Sequence, residues 1–270
     1  MAIVIPAFNE ELNLPKVLSE VDELRANHPE LEILPVVVND GSSDGTKRLL
    51  DELAPLHRAR AVNLPLNLGI GKCVQTGFRV AFRWDADVTI QLDGDGQHPA
   101  SEVPKIVAPV LRGEADVVVG SRYVEGAGGR VSSPFRRAGT AFFSWLLRAL
   151  VGVKVTDPTS GFRAFSAEAG EFISRHYPDD YPEPEAYIPL VRRGFRVREV
   201  AVTMRPRDVG ESSITPILAA YYMLKVAFAT VIDRIRPIPE RRPRSSRGRR
   251  GGQPGVQGPP GSASGGEHHG

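Results

Sequence analysis

The most informative segment of the chain joins an apolar run to an acidic turn: Val88-Thr89-Ile90-Gln91-Leu92-Asp93-Gly94-Asp95-Gly96-Gln97-His98. Its apolar run predicts a buried strand, which ends in two carboxylates separated by one glycine. Carboxylates with this spacing can converge on one hard cation, and the glycine allows the backbone to approach closely. An Asp-Gly turn between strands is the alternative, although it accounts more readily for one Asp-Gly pair than for the doublet. Asp93 and Asp95 therefore predict a site for Mg²⁺ or Mn²⁺, whereas His98 alone is expected to be structural.

On both sides of this stretch, short β-branched runs alternate with longer helical patterns. The runs at residues 3–5, 33–38, 61–62, 88–92 and 117–119 predict strands, and those at 11–26, 45–53, 71–83 and 101–111 predict helices. The alternation predicts an α/β fold, with a mostly parallel sheet flanked by helices; an α+β fold with a mixed sheet is the alternative. Beyond Gly120 we expect a loop at 125–130, an apolar helix at 135–150, a strand at 197–203 and a final helix at 214–232.

The composition is that of an ordinary soluble protein, with 41% hydrophobic and 24% charged residues in 270. A single cysteine, Cys73, excludes an internal disulfide and a cysteine-rich zinc site, and it fits a reducing, cytoplasmic location. We expect no signal peptide, and the longest apolar stretch, residues 217–232, is interrupted by Lys225.

Charge is segregated along the chain. The last 34 residues, 237–270, hold six arginines against two glutamates, a net charge of +4, whereas the whole chain carries +2. Residues 1–236 are therefore net −2. Because residues 237–270 are also rich in Gly and Pro and have no aromatic residue, we expect a disordered tail there.

The ends of the first two predicted strands carry small, acidic and hydroxyl residues, Pro6-Ala7-Phe8-Asn9-Glu10 and Asn39-Asp40-Gly41-Ser42-Ser43-Asp44-Gly45-Thr46. These groups suit hydrogen bonds to the edge of a base and to a ribose diol. Neither segment has the glycine pattern of a Walker loop or of a dinucleotide fingerprint. Because ligands of open α/β sheets bind at the carboxyl ends of strands, Asp40 is expected to contact a ligand, while Asp44 is expected to be a helix cap.

Five motifs, in order and spacing, resemble glycosyltransferase family 2, and within it the polyprenyl-phosphate mannosyl- and glucosyltransferase branch. They are residues 6–10, residues 39–46, Asn67-Leu68-Gly69 with Lys72, residues 93–99 and Gly120-Ser121-Arg122-Tyr123. The resemblance covers about residues 1–215 and implies a GT-A catalytic domain over residues 1–213. It also implies a nucleoside-diphosphate sugar donor, a divalent cation, and hexosyl transfer with inversion to a polyprenyl phosphate or an envelope glycan.

The resemblance also implies individual roles. Contacts to the nucleotide and donor are assigned to Pro6, Ala7, Asn9, Glu10, Asp40, Ser42, Lys72, Asp93 and Gly94. The metal and diphosphate cluster is assigned to Asp93, Asp95 and Gln97.

The segment Asp157-Pro158-Thr159-Ser160-Gly161-Phe162-Arg163 is similar to a family motif in which Asp157 lies near the reacting sugar and Arg163 contacts an anion. A capped turn that opens a helix is the alternative. Asp157 could act as a base or could orient the acceptor. A lipid phosphate is already anionic and needs little help from a base, whereas a sugar hydroxyl needs a carboxylate within reach.

Residues 200–213 resemble the family's loop over the donor phosphates, which makes Arg207 a phosphate clamp through its guanidinium. Ser212-Ser213 stands where relatives that use lipid phosphate often carry Ser-Lys, a departure that counts against that acceptor. Glu185 corresponds to a family glutamate below the acceptor site, with a structural role as the alternative.

The segment 214–236 contains the predicted helix at 214–232, which is apolar nearly all round, with Arg234 and Arg236 just beyond it. We expect it to lie on the inner face of the plasma membrane, which makes this a peripheral membrane protein; a core or oligomer helix is the alternative. Nucleic acid is not an expected partner, because the Arg-rich tail lacks interleaved aromatics. The alternative to an enzyme is a catalytically silent nucleotide-sugar-binding or assembly subunit.

Overall fold

The computed structural model describes residues 1–125, 127, 134–178, 182–205, 225, 228 and 231–232. Its strands form one sheet in the order β3-β2-β1-β4-β6-β5-β7. The strands are β1 (Ala2–Ala7), β2 (Leu34–Asn39), β3 (Arg60–Asn63), β4 (Val88–Gln91), β5 (Val117–Ser121), β6 (Arg163–Ser166) and β7 (Val197–Ala201).

Helices cover both faces of the sheet. They are α1 (Leu14–Asn27), α2 (Thr46–Leu56), α3 (Ile70–Arg83), α4 (Val103–Leu111), α5 (Pro134–Val151), α6 (Ala167–His176), α7 (Pro182–Glu185) and α8 (Tyr187–Arg192). Successive side chains of a strand point to opposite faces, and β1 shows this directly. Ile3 and Ile5 pack into the core below α1 and α4, while Val4 packs into the core below α3 and α6.

The expected mostly parallel sheet is confirmed, with one exception that the sequence did not predict. Strand β6 lies between β4 and β5 and runs antiparallel to both. Its central residues divide between the two cores, Ala164 on one face and Phe165 on the other. The alternative for residues 157–163, a capped turn that opens a helix, is wrong, because β6 starts at Arg163. Helix α6 starts only after this strand, where the Ser166 side chain accepts from the Ala169 N–H and caps it.

The topology brings the ends of three strands to one edge. Strand β1 pairs in parallel with both β2 and β4, with Ala7 opposite Asn39 and Val4 opposite Gln91. The segments that follow these strands therefore lie side by side at the carboxyl edge of the sheet, where open α/β sheets bind ligands.

The C-terminal part of the chain is described only in places. Lys225, Phe228, Val231 and Ile232 are helical, as the pattern over residues 214–232 predicts. Arg207, Ser212-Ser213, most of the segment 214–236 and the whole tail, 237–270, lie outside the described residues. Among the described residues, no helix is long and apolar enough to cross a membrane.

Candidate active site

A cleft of about 330 Å³ opens at the carboxyl edge of β1, β2 and β4. It brings together many of the side chains that the sequence predicts for the site. The lining consists of Pro6, Ala7, Phe8, Glu10, Asp40, Asn67, Gly69, Ile70, Cys73, Asp93, Gly94, Asp95 and Glu183. Asp93 and Asp95 make the end of the cleft after β4 acidic, whereas the rest of the lining mixes apolar residues with Glu10, Asp40 and Asn67. This distribution suits a ligand that has a charged group and a flat ring with polar edges.

The Asp93-Gly94-Asp95 turn is pressed against the end of β1. The Gly94 N–H donates to the Pro6 carbonyl at 3.2 Å, and a Cβ built on Gly94 would lie 2.7 Å from the same oxygen. A larger residue at position 94 would therefore push the turn away from β1. Glycine at this position keeps Asp93 and Asp95 in the cleft beside Pro6 and Ala7.

Local bonds orient the two carboxylates. Asp95 accepts from the Gln97 backbone N–H at 3.0 Å and from the Gln97 side-chain amide. The Asp93 carboxylate accepts a hydrogen bond from the Gln91 side-chain amide at 3.4 Å. The His98 ring is buried against Phe162, and its Nδ1 accepts from the Asp93 N–H at 3.3 Å. His98 is thus a support for the turn, as expected.

The donor set fits a divalent cation that also binds oxygens of a substrate. Among the described residues, no three His, Cys, Asp or Glu side chains form a group that could hold a metal on their own. Asp93 and Asp95 supply two carboxylates that face the cleft. Mg²⁺ and similar cations in phosphate-transfer sites use one or two carboxylates and complete their shell with phosphate oxygens and water.

Asp40 shapes one wall of the cleft. Its side chain is buried, and its two oxygens accept from the backbone N–H groups of Leu68 at 2.8 Å and Gly69 at 3.0 Å. Gly69 itself has φ +87°, a conformation that favours glycine. Asp40 therefore connects the end of β2 to the loop that enters α3, and it contributes to the lining of the cleft at the same time.

Asn9 and Ser42 join the first two loops to each other. The Asn9 N–H donates to the Ser42 hydroxyl at 3.0 Å, and the Asn9 side-chain oxygen accepts from the Ser43 N–H at 2.9 Å. Neither residue lines the cleft, and nor does Lys72, which lies in the first turn of α3. Asp44 was expected to cap α2, but the N-cap position is Gly45; Asp44 precedes it and accepts from the Thr46 N–H at 3.0 Å.

Glu183 is a cleft residue that the sequence did not predict. It lies in α7, two residues before Glu185, and its side chain lines the cleft with Asp93 and Asp95. Burial raises the pKa of Glu183; the charge of Arg163 opposes this shift and the charge of Asp93 adds to it. The sequence has two glutamates here, Glu183 and Glu185, and the family resemblance assigned the role to Glu185. The structure places Glu183 in the cleft instead.

Gln91 connects the acidic end of the cleft to the core. Its side chain is fully buried, its amide group donates toward Asp93, and a hydrogen bond also joins it to the Glu183 side chain. Its carbonyl oxygen accepts from the Tyr177 hydroxyl at 3.0 Å. One buried amide thus holds two carboxylates of the cleft in place.

Asp157 is locked in an ion pair rather than exposed to the cleft. Its side chain is 0% exposed, and Arg122 donates to it from Nε at 2.7 Å and from Nη2 at 2.8 Å. The backbone on either side of this carboxylate is also fixed, because Glu199 accepts from the N–H groups of Thr156 and Asp157. Burial alone would lower the pKa of Arg122, but the hydrogen bonds and charge of Asp157 outweigh it and raise that pKa.

Arg163 does not occupy the position that the resemblance implies. Its side chain is fully buried and lies over the Tyr187 ring, 4.6 Å from the centroid. It donates to the carbonyls of Ser160, Pro158 and Glu183. The expected contact with an anion is therefore corrected, since the guanidinium instead fastens the 157–163 loop to α7. Glu185 is buried and does not line the cleft.

The model of the family described as glycosyl transferase family 2 matches residues 2–173. The chain belongs to glycosyl transferase family 2. It is 34% identical to the polyprenol monophosphomannose synthase of Mycolicibacterium smegmatis over 233 residues, which cover 83% of this chain and 84% of that protein. It is 32% identical to the undecaprenyl-phosphate mannosyltransferase of Micrococcus luteus, over 78% of this chain and 86% of that protein.

These relatives confirm the polyprenyl-phosphate branch of the family that the motifs predict. Solved structures confirm the GT-A fold. The glucosyl-3-phosphoglycerate synthase of Mycobacterium tuberculosis, in complex with Mn²⁺, UDP and glucosyl-3-phosphoglycerate, has a TM-score of 0.60 at 22% identity, covering 88% of this chain and 80% of that one. A mannosyltransferase of Pyrobaculum calidifontis, in complex with GDP-Man and Mn²⁺, has a TM-score of 0.60 at 17% identity, covering 86% of this chain and 63% of that one. The family 2 chain is therefore a glycosyltransferase with the GT-A fold.

Proposed function

We propose that this glycosyltransferase moves a hexose from a nucleoside-diphosphate sugar to a polyprenyl phosphate, with inversion at the anomeric carbon and with Mg²⁺ or Mn²⁺. The observation that carries the proposal is the position of Asp93 and Asp95. They face the same cleft as Asp40, Asn67 and Gly69, at the carboxyl edge of the sheet. A diphosphate at the acidic end would thus extend toward a nucleoside on the β2 side.

The residues at the acidic end have a defined task in this reaction. When bound, the cation would neutralise the charge that develops on the departing nucleoside diphosphate. Asp93 and Asp95 would hold it, and Gln97 and Gln91 would keep their carboxylates oriented. Gly94 would let the Pro6 backbone approach the turn closely.

The buried state of Asp157 favours a lipid phosphate as the acceptor. Both of its oxygens accept from Arg122, and the side chain is inaccessible, so the structure gives it no path to a hydroxyl proton. A phosphate acceptor is already anionic at neutral pH and requires no base. In the proposal, Asp157 is a positioning residue that holds Arg122, and Arg207 remains the proposed phosphate clamp.

The test is a transfer assay with the full chain. Undecaprenyl phosphate in detergent is combined with UDP-, GDP-, CDP- or dTDP-sugars and with Mn²⁺, Mg²⁺ or EDTA, and the glycolipid is followed by mass spectrometry. We expect one donor class to give product, with no product in EDTA. Loss of one carboxylate ligand removes an interaction with the transition state, so Asp95→Asn should lower kcat/KM by about 100-fold or more.

Asp87→Asn is the matched control, because Asp87 is exposed and directly precedes β4, at the end of that strand opposite the cleft. It should retain full activity. Nucleotide binding by calorimetry without turnover on any acceptor would contradict the proposal and would identify a silent binding subunit. Full activity of Asp95→Asn, or transfer in EDTA, would contradict the metal assignment.

A further inference from the structure

Helix α5 has one face in the core and one face that nothing described in the structure covers. On the inner face, Phe143, Leu146 and Leu147 are buried, and Leu147 packs with Tyr187 and Ile188 of α8. Thr140 is buried on the same side. These positions follow the three- and four-residue spacing of a helix face, so the orientation of α5 is fixed by its core contacts.

The outer face of α5 carries two large aromatic side chains. Trp145 is 63% exposed and Phe142 is 37% exposed, and their ring centroids lie 6.2 Å apart. The two residues are spaced i, i+3, which places them on one side of the helix. Small apolar residues on this face are exposed as well: Ala138, Ala141 and Ala149. We refer to Ala138, Ala141, Phe142, Trp145 and Ala149 as the aromatic face.

Positive charge borders the aromatic face. Arg137 precedes it and Arg148 lies within its last turn, and both are exposed. The whole of α5 contains three arginines and neither Asp nor Glu. An exposed helix on a protein surface ordinarily carries acidic as well as basic residues, so this distribution is selective for a negatively charged partner.

We infer that the aromatic face of α5 docks on the surface of an anionic lipid bilayer. Tryptophan and phenylalanine on one face with arginines at its margins are the arrangement by which an amphipathic helix lies in the headgroup region. Each arginine near an anionic surface adds to the attraction. The inference rests on the proposed function in one respect, since a polyprenyl-phosphate acceptor is held in a membrane.

The charge pattern also favours a bilayer over a second copy of the chain. A two-fold contact would bring the same face of two helices together. Arg137 and Arg148 would then meet arginines, with no carboxylate on either helix to pair with them. Lipid phosphates supply the missing negative charge.

The first experiment uses Trp145 as its own reporter. The chain has two tryptophans, and Trp84→Phe leaves Trp145 alone. The full-length variant is mixed with vesicles of phosphatidylcholine and phosphatidylglycerol (3:1) or of phosphatidylcholine alone. With the anionic vesicles, we expect a blue shift of the emission and quenching by brominated acyl chains. The inference would be overturned if the protein sediments with the vesicles while the Trp145 emission spectrum stays unchanged. Binding would then come from another part of the chain, such as the Arg-rich tail, and not from the aromatic face.

The second experiment measures partition by vesicle sedimentation. Phe142→Ser/Trp145→Ser should weaken binding to anionic vesicles by about tenfold or more, since it removes most of the apolar area of the face. Arg137→Glu/Arg148→Glu should weaken it and reduce its dependence on salt. Leu111→Ser, at an exposed position of α4, is the matched control and should bind as the wild type does. Equal binding of all variants would overturn the inference.

Two further measurements distinguish bilayer docking from a protein contact and from damage to the cleft. Calorimetric binding of nucleotide should be unchanged in all these variants, which shows that the cleft is intact. A dimer seen by light scattering and lost in Phe142→Ser/Trp145→Ser would overturn the inference in favour of a protein contact. If vesicle binding depends on the aromatic face but no glycolipid forms with any donor, the proposed function fails and the docking surface stands.

Discussion

Arg122 and Asp157 form a two-pronged ion pair around a carboxylate that is 0% exposed, with donor distances of 2.7 and 2.8 Å. The Arg122 backbone N–H also donates to Asp157, at 3.2 Å. The pair joins the loop after β5 to the loop before β6, and Glu199 of β7 anchors the second loop through two backbone N–H groups. A residue that the motif suggested as a base is therefore part of a framework around Arg122.

Removal of either partner should destabilise the protein strongly, because the other charge is left buried. We expect Asp157→Ala and Arg122→Ala each to lower the free energy of unfolding by about 3–5 kcal/mol in urea titrations. The double variant should cost much less than the sum of the two. Glu171→Ala, which removes a half-buried i, i+4 partner of the exposed Arg175, is the control and should cost about 0.3–0.5 kcal/mol. If the double variant loses as much unfolding free energy as the two single variants together, Arg122 and Asp157 do not form a coupled ion pair.

Glu183 should make stability depend on pH. Burial raises its pKa above the ordinary value of 4.5, with Arg163 opposing and Asp93 adding to the shift. The folded state then holds the proton more tightly than the unfolded state, so this contribution to stability is complete below pH 4.5 and is lost as pH rises through the folded pKa. Glu183→Gln keeps a neutral side chain at every pH. Relative to this variant, the wild type should lose unfolding free energy as pH rises above 4.5.

The same residue should affect donor binding. Glu183→Ala removes a polar group from the cleft wall and leaves the Gln91 amide without one partner. We expect KM for the nucleotide sugar to rise by about tenfold, the scale of one lost hydrogen bond. Glu183→Gln should recover most of this loss, because its amide can still pair with Gln91. Glu52→Ala, an exposed carboxylate on α2, should leave KM unchanged.

Gly94→Ala should impair ligand binding more than folding. The new methyl group would lie 2.7 Å from the Pro6 carbonyl oxygen, so the turn has to move away from β1. The displacement shifts Asp93 and Asp95 relative to the cleft, and we expect Mn²⁺-dependent nucleotide binding by calorimetry to weaken by at least tenfold. Gly113→Ala provides the contrast: its φ of +68° strains alanine, but open space surrounds it. It should cost about 1 kcal/mol of stability and leave binding intact.

Cys73 should be unreactive in the folded protein. Its thiol is buried and donates to the Val38 carbonyl, and burial raises its pKa to about 12, with the charge of Asp40 adding to the effect. In mildly alkaline buffer almost no thiolate forms, so labelling with a disulfide reagent should be slow in buffer and rapid in guanidinium chloride. Bound nucleotide should slow it further, since Cys73 lies in the cleft wall. Rapid labelling in buffer would contradict the buried position of the thiol.

The sequence predicted those features that depend on local pattern. The apolar runs at 3–5, 33–38, 88–92 and 117–119 all contain strands, because each is buried on both faces and no charged residue interrupts it. Strand β6 was missed since Arg163 and Ser166, at its two ends, are residues typical of loops. Only the pairing of this segment with β4 and β5 makes it a strand.

The site residues also divide into those that a local pattern predicts and those whose roles depend on partners distant in sequence. Asp93 and Asp95 were predictable because both follow one strand directly, and Asp40 because it follows the neighbouring strand. The roles of Arg163 and Asp157 depend on distant partners. Arg163 finds its acceptors on Pro158, Ser160 and Glu183, and Asp157 is enclosed by Arg122, 35 residues away in sequence. No local pattern contains that information.

The antiparallel strand β6 has a consequence for the order in which the chain assembles. Strands β1 to β4 can pair among themselves as soon as residues up to Gln91 have left the ribosome. Strand β5 has no place beside β4, and its neighbours in the sheet are β6 and β7. The apolar β5 therefore stays unpaired in the nascent chain until Arg163–Ser166 has been synthesised. That interval is the stage of biosynthesis at which a chaperone would meet an unpaired strand edge.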